Sequence, residues 1–261
     1  MTTHSETELT QDELARYRRQ LILPEIGPEG QQRIKKAKVL VIGAGGIGSP
    51  LLLYLAAAGI GHISIYDHDV LDLTNMNRQI IHDSGNVGVP KVQSAEQTLN
   101  RLNPGLHYEL HAERLTRETA LSIVPQYDIV VNAVDNLDTR YMLNDVCVEL
   151  RIPLVEGSIF HFEGQVMLIS PDEDSACYRC VYPEPQEPPK KQEFGVIGVT
   201  PGIVGTLQAA EVLKYVAGTG RSLKNRMIYF DLLSASFREI ELKPDPDCPV
   251  CSKLKQQPVL L

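Results

Sequence analysis

Excess positive charge is the first thing this sequence lacks. Its 261 residues carry 33 Asp and Glu against 25 Lys and Arg, a formal net charge of −8. Nucleic acid and anionic membranes both reward cationic surface, so the balance argues against non-specific binding to either. Cysteine is scarce and odd in number, at five. The start, residues 1–12, is polar and acidic, with no apolar leader. Together these exclude a disulfide-built secreted mini-protein and lead us to expect a reducing, cytoplasmic setting. No internal repeat and no clear linker divides the chain, and 43% hydrophobic with 22% charged residues is ordinary for a globular protein. One large α/β domain with a buried core is expected.

Residues 39–66 lack Asp, Glu, Lys and Arg altogether. By length alone such a run could span a bilayer. It also carries Gly43, Gly45, Gly46, Gly48, Gly59, Gly61 and Pro50. The pattern reads as strand, glycine turn, buried helix and second strand, and no membrane span is expected.

Periodicity supplies the rest of the outline. Thr10 and Glu13 have capping-box spacing and predict a helix over 11–21. A second helix is expected over 30–36. The β-branched run 38–43 reads as a buried parallel strand, 46–58 as helix and 62–67 as strand. Helices are expected at 91–102, 138–150 and 202–217, and strands at 106–112, 127–133, 154–157, 165–170, 227–231 and 237–242. This alternation implies a doubly wound, mostly parallel, Rossmann-like sheet with an antiparallel extension. Residues 183–191, rich in proline and charge, read as a surface loop.

Gly43, Gly45, Gly46 and Gly48 fit G-x-G-x-x-G between a predicted strand and helix. Glycines there let phosphate approach the backbone, and the helix start supplies N–H groups. Asp67 ends the next strand, where an acid accepts from a ribose hydroxyl. Glycines serving packing alone are the plainer alternative. The loop does not choose among NAD, FAD and ATP. The polar stretch after Asp67 holds Asp69, Thr74, Asn75, Met76, Asn77, Arg78 and Gln79, just past a strand end. Arg78 can grip phosphate through its fork of donors, and Lys91 can add a second cation. Asp135, with Asn136, ends another apolar strand, where a carboxylate can hold Mg²⁺ or cap the following helix. Two cations and a strand-end acid describe a triphosphate site better than a dinucleotide site.

Cys177 and Cys180 form one Cys-x-x-Cys pair, and Cys248 and Cys251 another. Four thiolates can close a tetrahedral Zn²⁺ site, but the two pairs lie farther apart than in a local zinc finger. From spacing alone a zinc clip and two disulfides both stand. Cys147, on an apolar helix, reads as a buried inert thiol. His62, His68, His82, His107, His111 and His161 show no metal spacing, and His107 and His111 are expected to face solvent.

Taken in order, these features resemble one family. Tyr17-Arg-Arg-Gln20, the Gly43–Gly48 loop, Asp67-His-Asp69, Asn75-Met-Asn-Arg-Gln79, Val87-Gly-Val-Pro-Lys91, Asp135-Asn136 and the two cysteine pairs are similar to the ubiquitin-activating-like adenylyltransferases of the MoeB/ThiF/HesA type. The likeness covers about 17–251 and leaves no room for a rhodanese domain. It implies a single adenylation domain over 1–261: amino-terminal helices at 1–36, a nucleotide-binding half at 37–158, and a carrier-binding and zinc half at 159–261. It implies ATP as substrate, Mg²⁺ on Asp135 beside Asn136, phosphate on Gly46, Asn75, Arg78 and Lys91, and ribose on Asp67. Arg19 would reach the γ-phosphate in a neighbouring subunit, which implies a homodimer. The four paired cysteines would hold structural Zn²⁺.

The implied reaction is adenylylation of the C-terminal glycine carboxylate of a small ubiquitin-fold sulfur carrier ending in Gly-Gly, MoaD- or ThiS-like. Pyrophosphate is released, and the carrier is primed for thiocarboxylation in molybdenum cofactor or thiamine biosynthesis. Relatives that bond covalently to the carrier have a Cys in the loop before Gly195. Here 188–194 has none, so no covalent intermediate is expected there. Three rivals remain: activation of a tRNA-base carboxylate, which the acidic balance disfavours; an NAD-dependent oxidoreductase; and a non-catalytic scaffold, which the joint presence of Arg78, Lys91 and Asp135 opposes.

Overall fold

The computed structural model describes residues 8–170, 172–185 and 194–252. Alternating apolar side chains build its centre. In β1 (Lys38–Ile42), Val39 and Val41 enter one core layer while Leu40 and Ile42 enter the other. Successive strand residues point to opposite faces, so a continuous apolar run must be covered on both. The sheet has eight strands in the order β3-β2-β1-β4-β5-β6-β7-β8. The remaining seven are β2 (His62–Tyr66), β3 (His107–His111), β4 (Ile129–Asn132), β5 (Leu154–Phe160), β6 (Glu163–Ile169), β7 (Arg226–Asp231) and β8 (Ser236–Glu241). The first five run parallel, and β5 through β8 pair antiparallel. This is the expected doubly wound sheet with its antiparallel extension. One sheet runs through both implied halves, and the boundary at 158 falls inside β5.

Helices cover both faces. The amino end has α1 (Gln11–Arg16), α2 (Arg18–Leu21) and α3 (Gly27–Lys36). Crossovers follow as α4 (Gly48–Ala58), α5 (Lys91–Leu102), α6 (Arg117–Ile123) and α7 (Leu137–Leu150), then α8 (Tyr178–Val181) and α9 (Val199–Ala217). The charge-free run resolves here. Eight of the eleven residues of α4 are buried, and the helix packs against the sheet and α9. At 1.5 Å per residue it is about 16 Å long, half a bilayer core. No helix among the described residues is long and apolar enough to cross a membrane.

Several boundaries differ from expectation. The helix over 11–21 breaks at Tyr17, whose buried ring lies against Gly59 and whose hydroxyl accepts from Asn103 Nδ2 at 2.8 Å. The Thr10–Glu13 capping box is present. Helix α3 starts three residues early, with Pro28 in its first turn. Helix α9 also starts three residues early. Helix α6 was not anticipated, although Thr116 caps it by accepting from Thr119 N at 3.2 Å. His107 is exposed, but His111 stacks on Tyr66 with ring centroids 4.0 Å apart, so the outward reading of His111 is corrected. Residues 186–191 of the proline-rich stretch, residues 188–193 of the cysteine-free segment before Gly195, and the first part of the polar start, residues 1–7, lie outside the described residues.

The α4–α9 contact depends on a missing side chain. A Cβ on Gly205 would sit 2.1 Å from Ile47 O and 2.7 Å from Pro50 Cγ. Gly205→Ala is therefore expected to cost about 1–3 kcal/mol by overpacking, read as a lower unfolding midpoint in urea.

Candidate functional site

Strand order reverses between β1 and β4, whose neighbours β2 and β5 lie on opposite sides. Their crossover helices diverge there and open a crevice beyond the carboxyl ends of the strands. Ile42 pairs with both Tyr66 and Asn132, so the chain leaves β1, β2 and β4 at one level. A cleft of about 1440 Å³ sits on that level. A pocket for one small ligand holds about 300–1,000 Å³, so this one has room for a nucleotide and a second group.

The glycine loop forms its floor, and its four glycines do different jobs. Gly43 adopts φ +103°, and a Cβ there would meet Ala133 O at 2.7 Å. A Cβ on Gly48 would meet Gly43 O at 2.1 Å. These two serve the tight turn. Gly45 and Gly46 line the cleft, where backbone can meet a ligand. The peptide of Ala44, between Gly43 and Gly45, is held at both ends. Its N–H donates to Asp67 Oδ2 at 2.8 Å, and its carbonyl accepts from His82 Nε2 at 2.9 Å. His82 is buried, with Nδ1 2.9 Å from Ser94 Oγ, and burial pushes its pKa below the ordinary histidine value.

Lys91 opens α5 but is not a solvated lysine. Its side chain is 7% exposed, and Nζ lies 2.7 Å from Asp69 Oδ2 at the edge of the cleft. Burial acts to raise the Asp69 carboxyl, but the hydrogen bond and charge of Lys91 hold it below the usual carboxylate range. Arg78 also lines the cleft wall, with Nη1 donating to Thr74 O and Asn77 Oδ1, both at 3.0 Å. Thr74, Asn77 and Gln79 share that wall, and the buried Gln79 Oε1 has no partner among the described residues. Asn75 and Met76 do not line the cleft. Asn75 instead closes a turn, its Oδ1 accepting from Asp72 N at 3.2 Å. Asp135 and Asn136 both line the cleft. Asn136 caps α7, accepting from Thr139 N at 2.9 Å, so Asp135 is left exposed and free of the capping role. Arg19 is exposed on α2, away from the cleft lining.

Sequence reasoning missed the buried network beneath Asp135. Arg140 donates to Glu156 Oε1, to Gly157 O at 2.8 Å and to Val134 O at 2.5 Å. Asn132 Nδ2 donates to Glu156 Oε2 at 2.6 Å. Glu156 is 2% exposed. A lone acid in the apolar stretch 154–157 was the available signal, because a buried carboxylate needs a partner. Glu113, Arg114 and Leu115, from the segment between β3 and α6, also line the cleft. Its far lobe is lined by Ser158, Ile159, Phe160, Gln165, Tyr178, Tyr182 and Phe194–Val196.

Behind that lobe the four paired cysteines converge. Cys177 Sγ lies 3.8 Å from Cys180 and 3.6 Å from Cys248, and Cys180 Sγ lies 3.3 Å from Cys251. All four sulfurs fall within 4.8 Å of one another, a group that can hold a metal ion. Zn–S bonds of about 2.3 Å in a tetrahedron place sulfurs about 3.8 Å apart, close to these spacings. Hydrogen bonds from Cys177 and Cys251 hold the Cys180 thiol low, and the Asp245 N–H adds to them. Cys147 is fully buried, and burial pushes its thiol up to about 12.

Fold and cleft define the class, an α/β protein with an open cleft where its strand order reverses. Residues 17–250 match the ThiF family, and the chain belongs to it. A sulfur carrier protein adenylyltransferase of Thermus thermophilus is 46% identical over 249 residues, 93% of this chain and 92% of that protein. The adenylyltransferase and sulfurtransferase MOCS3 of Anopheles gambiae is 46% identical over 251 residues. Those cover 95% of this chain but 57% of that protein, so the chain spans little more than half of that relative. The crystal structure of E. coli MccB with MccA-N7isoASN superposes with TM-score 0.82 at 24% identity, over 95% of this chain and 76% of that one. That last likeness is one of fold. Matched to the ThiF family over most of its length and to a full-length adenylyltransferase, this chain is itself an adenylyltransferase.

Removing one member of a buried ion pair strands the other. Glu156→Ala is expected to destabilise the fold by about 3–5 kcal/mol, measured by urea unfolding at neutral pH.

Proposed function

We propose that the protein adenylylates the C-terminal glycine carboxylate of a small ubiquitin-fold sulfur carrier ending in Gly-Gly. The observation that carries this reading is the shape of the cleft. A phosphate-ready lobe, with Gly45, Gly46, Arg78 and the Lys91–Asp69 pair, is continuous with a lobe walled by Phe160, Tyr178, Tyr182 and Phe194. The first suits ATP and the second suits an extended peptide tail. The Thermus thermophilus relative, matched over nearly its full length, supports the carrier as substrate.

The chemistry asks little of the protein. A chain-terminal carboxylate, with pKa about 3.5, is already ionised at neutral pH, so no general base is required. Its oxygen bonds to the α-phosphorus of ATP while the bond to the β-phosphate oxygen breaks. Pyrophosphate leaves and the carrier acyl-adenylate remains. Arg78 and Lys91 neutralise phosphate charge, the loop N–H groups orient it, and Asp67 receives the ribose. Asp135 would hold Mg²⁺, which when bound neutralises charge on the departing pyrophosphate. Its carboxylate makes no hydrogen bond or ion pair among the described residues and is presented at the end of β4, as such a ligand must be.

In the same reading Arg19 completes the site of a second copy, giving a homodimer, since its own cleft lies elsewhere. Zinc fills the cysteine group as a structural clip, in keeping with a reducing cytoplasm. The activated carrier goes on to thiocarboxylation in molybdenum cofactor or thiamine biosynthesis. The loop at 188–194 carries no cysteine, so the carrier is released without a covalent bond to that loop.

ATP–pyrophosphate exchange tests the reading. Exchange should require a Gly-Gly carrier, and its absence with MoaD-like and ThiS-like carriers alike would reject the function. Asp135→Ala should reduce exchange by about a hundredfold or more while leaving the fold intact, since it removes charge stabilisation at the reacting phosphates. Metal analysis of freshly purified protein should find about one zinc per chain, and chelation should lower the unfolding temperature. Less than half a zinc would count against the clip.

A further inference from the structure

The far lobe contains a polar pair that phosphate chemistry does not use. Gln165 on β6 sits directly opposite Ser158 on β5, and both line the cleft. Tyr182 Oη donates to Gln165 Oε1 at 2.6 Å. That bond occupies the amide's acceptor side, so the Nε2 donors must point elsewhere. Among the described residues no group accepts from Nε2. Tyr182 is itself anchored. Its ring lies 5.1 Å from that of Tyr178, and the Tyr178 ring lies 5.3 Å from that of Tyr141. Arg179 caps Tyr141 at 4.7 Å and donates to Asp145 at 2.7 and 2.8 Å. The amide of Gln165 is thus orientated before any ligand arrives.

Its position relative to the reacting end follows from Arg140. That guanidinium binds both Val134 O and Gly157 O. Asp135 and Ser158 each follow one of those carbonyls, so the metal-binding end and the Ser158–Gln165 pair share one anchor. A chain whose terminal carboxylate reaches phosphates beside Asp135 would lie in the cleft that Ser158 and Gln165 also line. A Gly-Gly tail has no side-chain functional groups, so only its backbone amides can be read by hydrogen bonding. A donor held in place serves a backbone carbonyl.

We propose that Gln165, held by Tyr182, is a tail-binding residue that donates from Nε2 to a backbone carbonyl of the extended C-terminal tail. This rests on the carrier-adenylylation reading above. Ser158 Oγ supplies a second hydrogen-bonding group on the same strand pair. The tail is registered in the cleft by its backbone, which places its carboxylate without any contact to a tail side chain.

The test uses the full chain and a fluorescent heptapeptide ending in Gly-Gly, with binding read by anisotropy. Gln165→Leu keeps the bulk and removes both donors, and should weaken peptide binding about tenfold. Tyr182→Phe frees the amide to turn and should weaken binding severalfold in the same direction. The affinity of both variants for a non-hydrolysable ATP analogue should change less than twofold, and in exchange assays the loss should appear in KM for the carrier rather than for ATP. Circular dichroism and zinc content check the fold of each variant. Wild-type peptide affinity in Gln165→Leu would overturn the proposal. So would an equal loss of ATP and peptide binding, which marks a general distortion. Absence of carrier-dependent exchange in the wild type would instead bring down the underlying function, and this proposal with it.

Discussion

The buried guanidinium of Arg140 is the constraint on which the cleft depends. A charge taken out of water must be paired and hydrogen-bonded, and the protein meets that demand with Glu156 and the carbonyls of Val134 and Gly157. Burial lowers the Arg140 pKa, and the negative field of Asp135 is among the influences opposing that shift. The result is geometric. Strand β4, the start of α7 and strand β5 are tied at one point beneath the strand ends. Asp135 stands one residue beyond one held carbonyl and Ser158 one residue beyond the other. The nucleotide lobe and the far lobe therefore cannot move apart without exposing or stranding a charge.

The glycine loop shows how one motif serves two ends. Gly43 and Gly48 are required by the turn, because a side chain at either would collide with backbone. Gly45 and Gly46 instead line the cleft, and a Cβ on Gly46 would press on Pro201 at 3.2 Å. The Ala44 peptide is fixed between Asp67 and His82. Asp67 thus braces the glycine loop through Oδ2, while its Oδ1 accepts from Asp69 N at 2.9 Å. The cysteine group works in a similar way at the far end. Cys177 and Cys180 flank Tyr178, and Tyr182 lies two residues beyond, so the convergence of the four thiols ties the aromatic lining of the cleft to the segment around Cys248 and Cys251.

Much of this architecture was legible because its causes are local. Apolar runs with β-branched residues marked β1, β2 and β4, and the glycine spacing marked the turn after β1. The capping box at Thr10 marked the first helix. Helix α6 and the break at Tyr17 escaped notice, since a short helix has little periodicity and the break answers a ring packed 42 residues away in sequence, against Gly59. The question of Asp135 as cap or ligand could not be answered by composition. Both neighbours are good caps, and only coordinates show that Asn136 takes the amide.

By itself the chain determined its alternation of strands and helices, its turn chemistry and the inventory of basic, acidic and thiol groups, because these follow from side-chain period and local backbone demands. Tertiary structure decided which of those groups meet. It buried Lys91 against Asp69, gathered two cysteine pairs separated by 68 residues and turned His111 onto Tyr66. It also set Gln165 against Tyr182 at the far end of the cleft. Those meetings depend on strand order and crossover, through which distant residues are forced together by the burial of two apolar faces. No window of sequence contains that information.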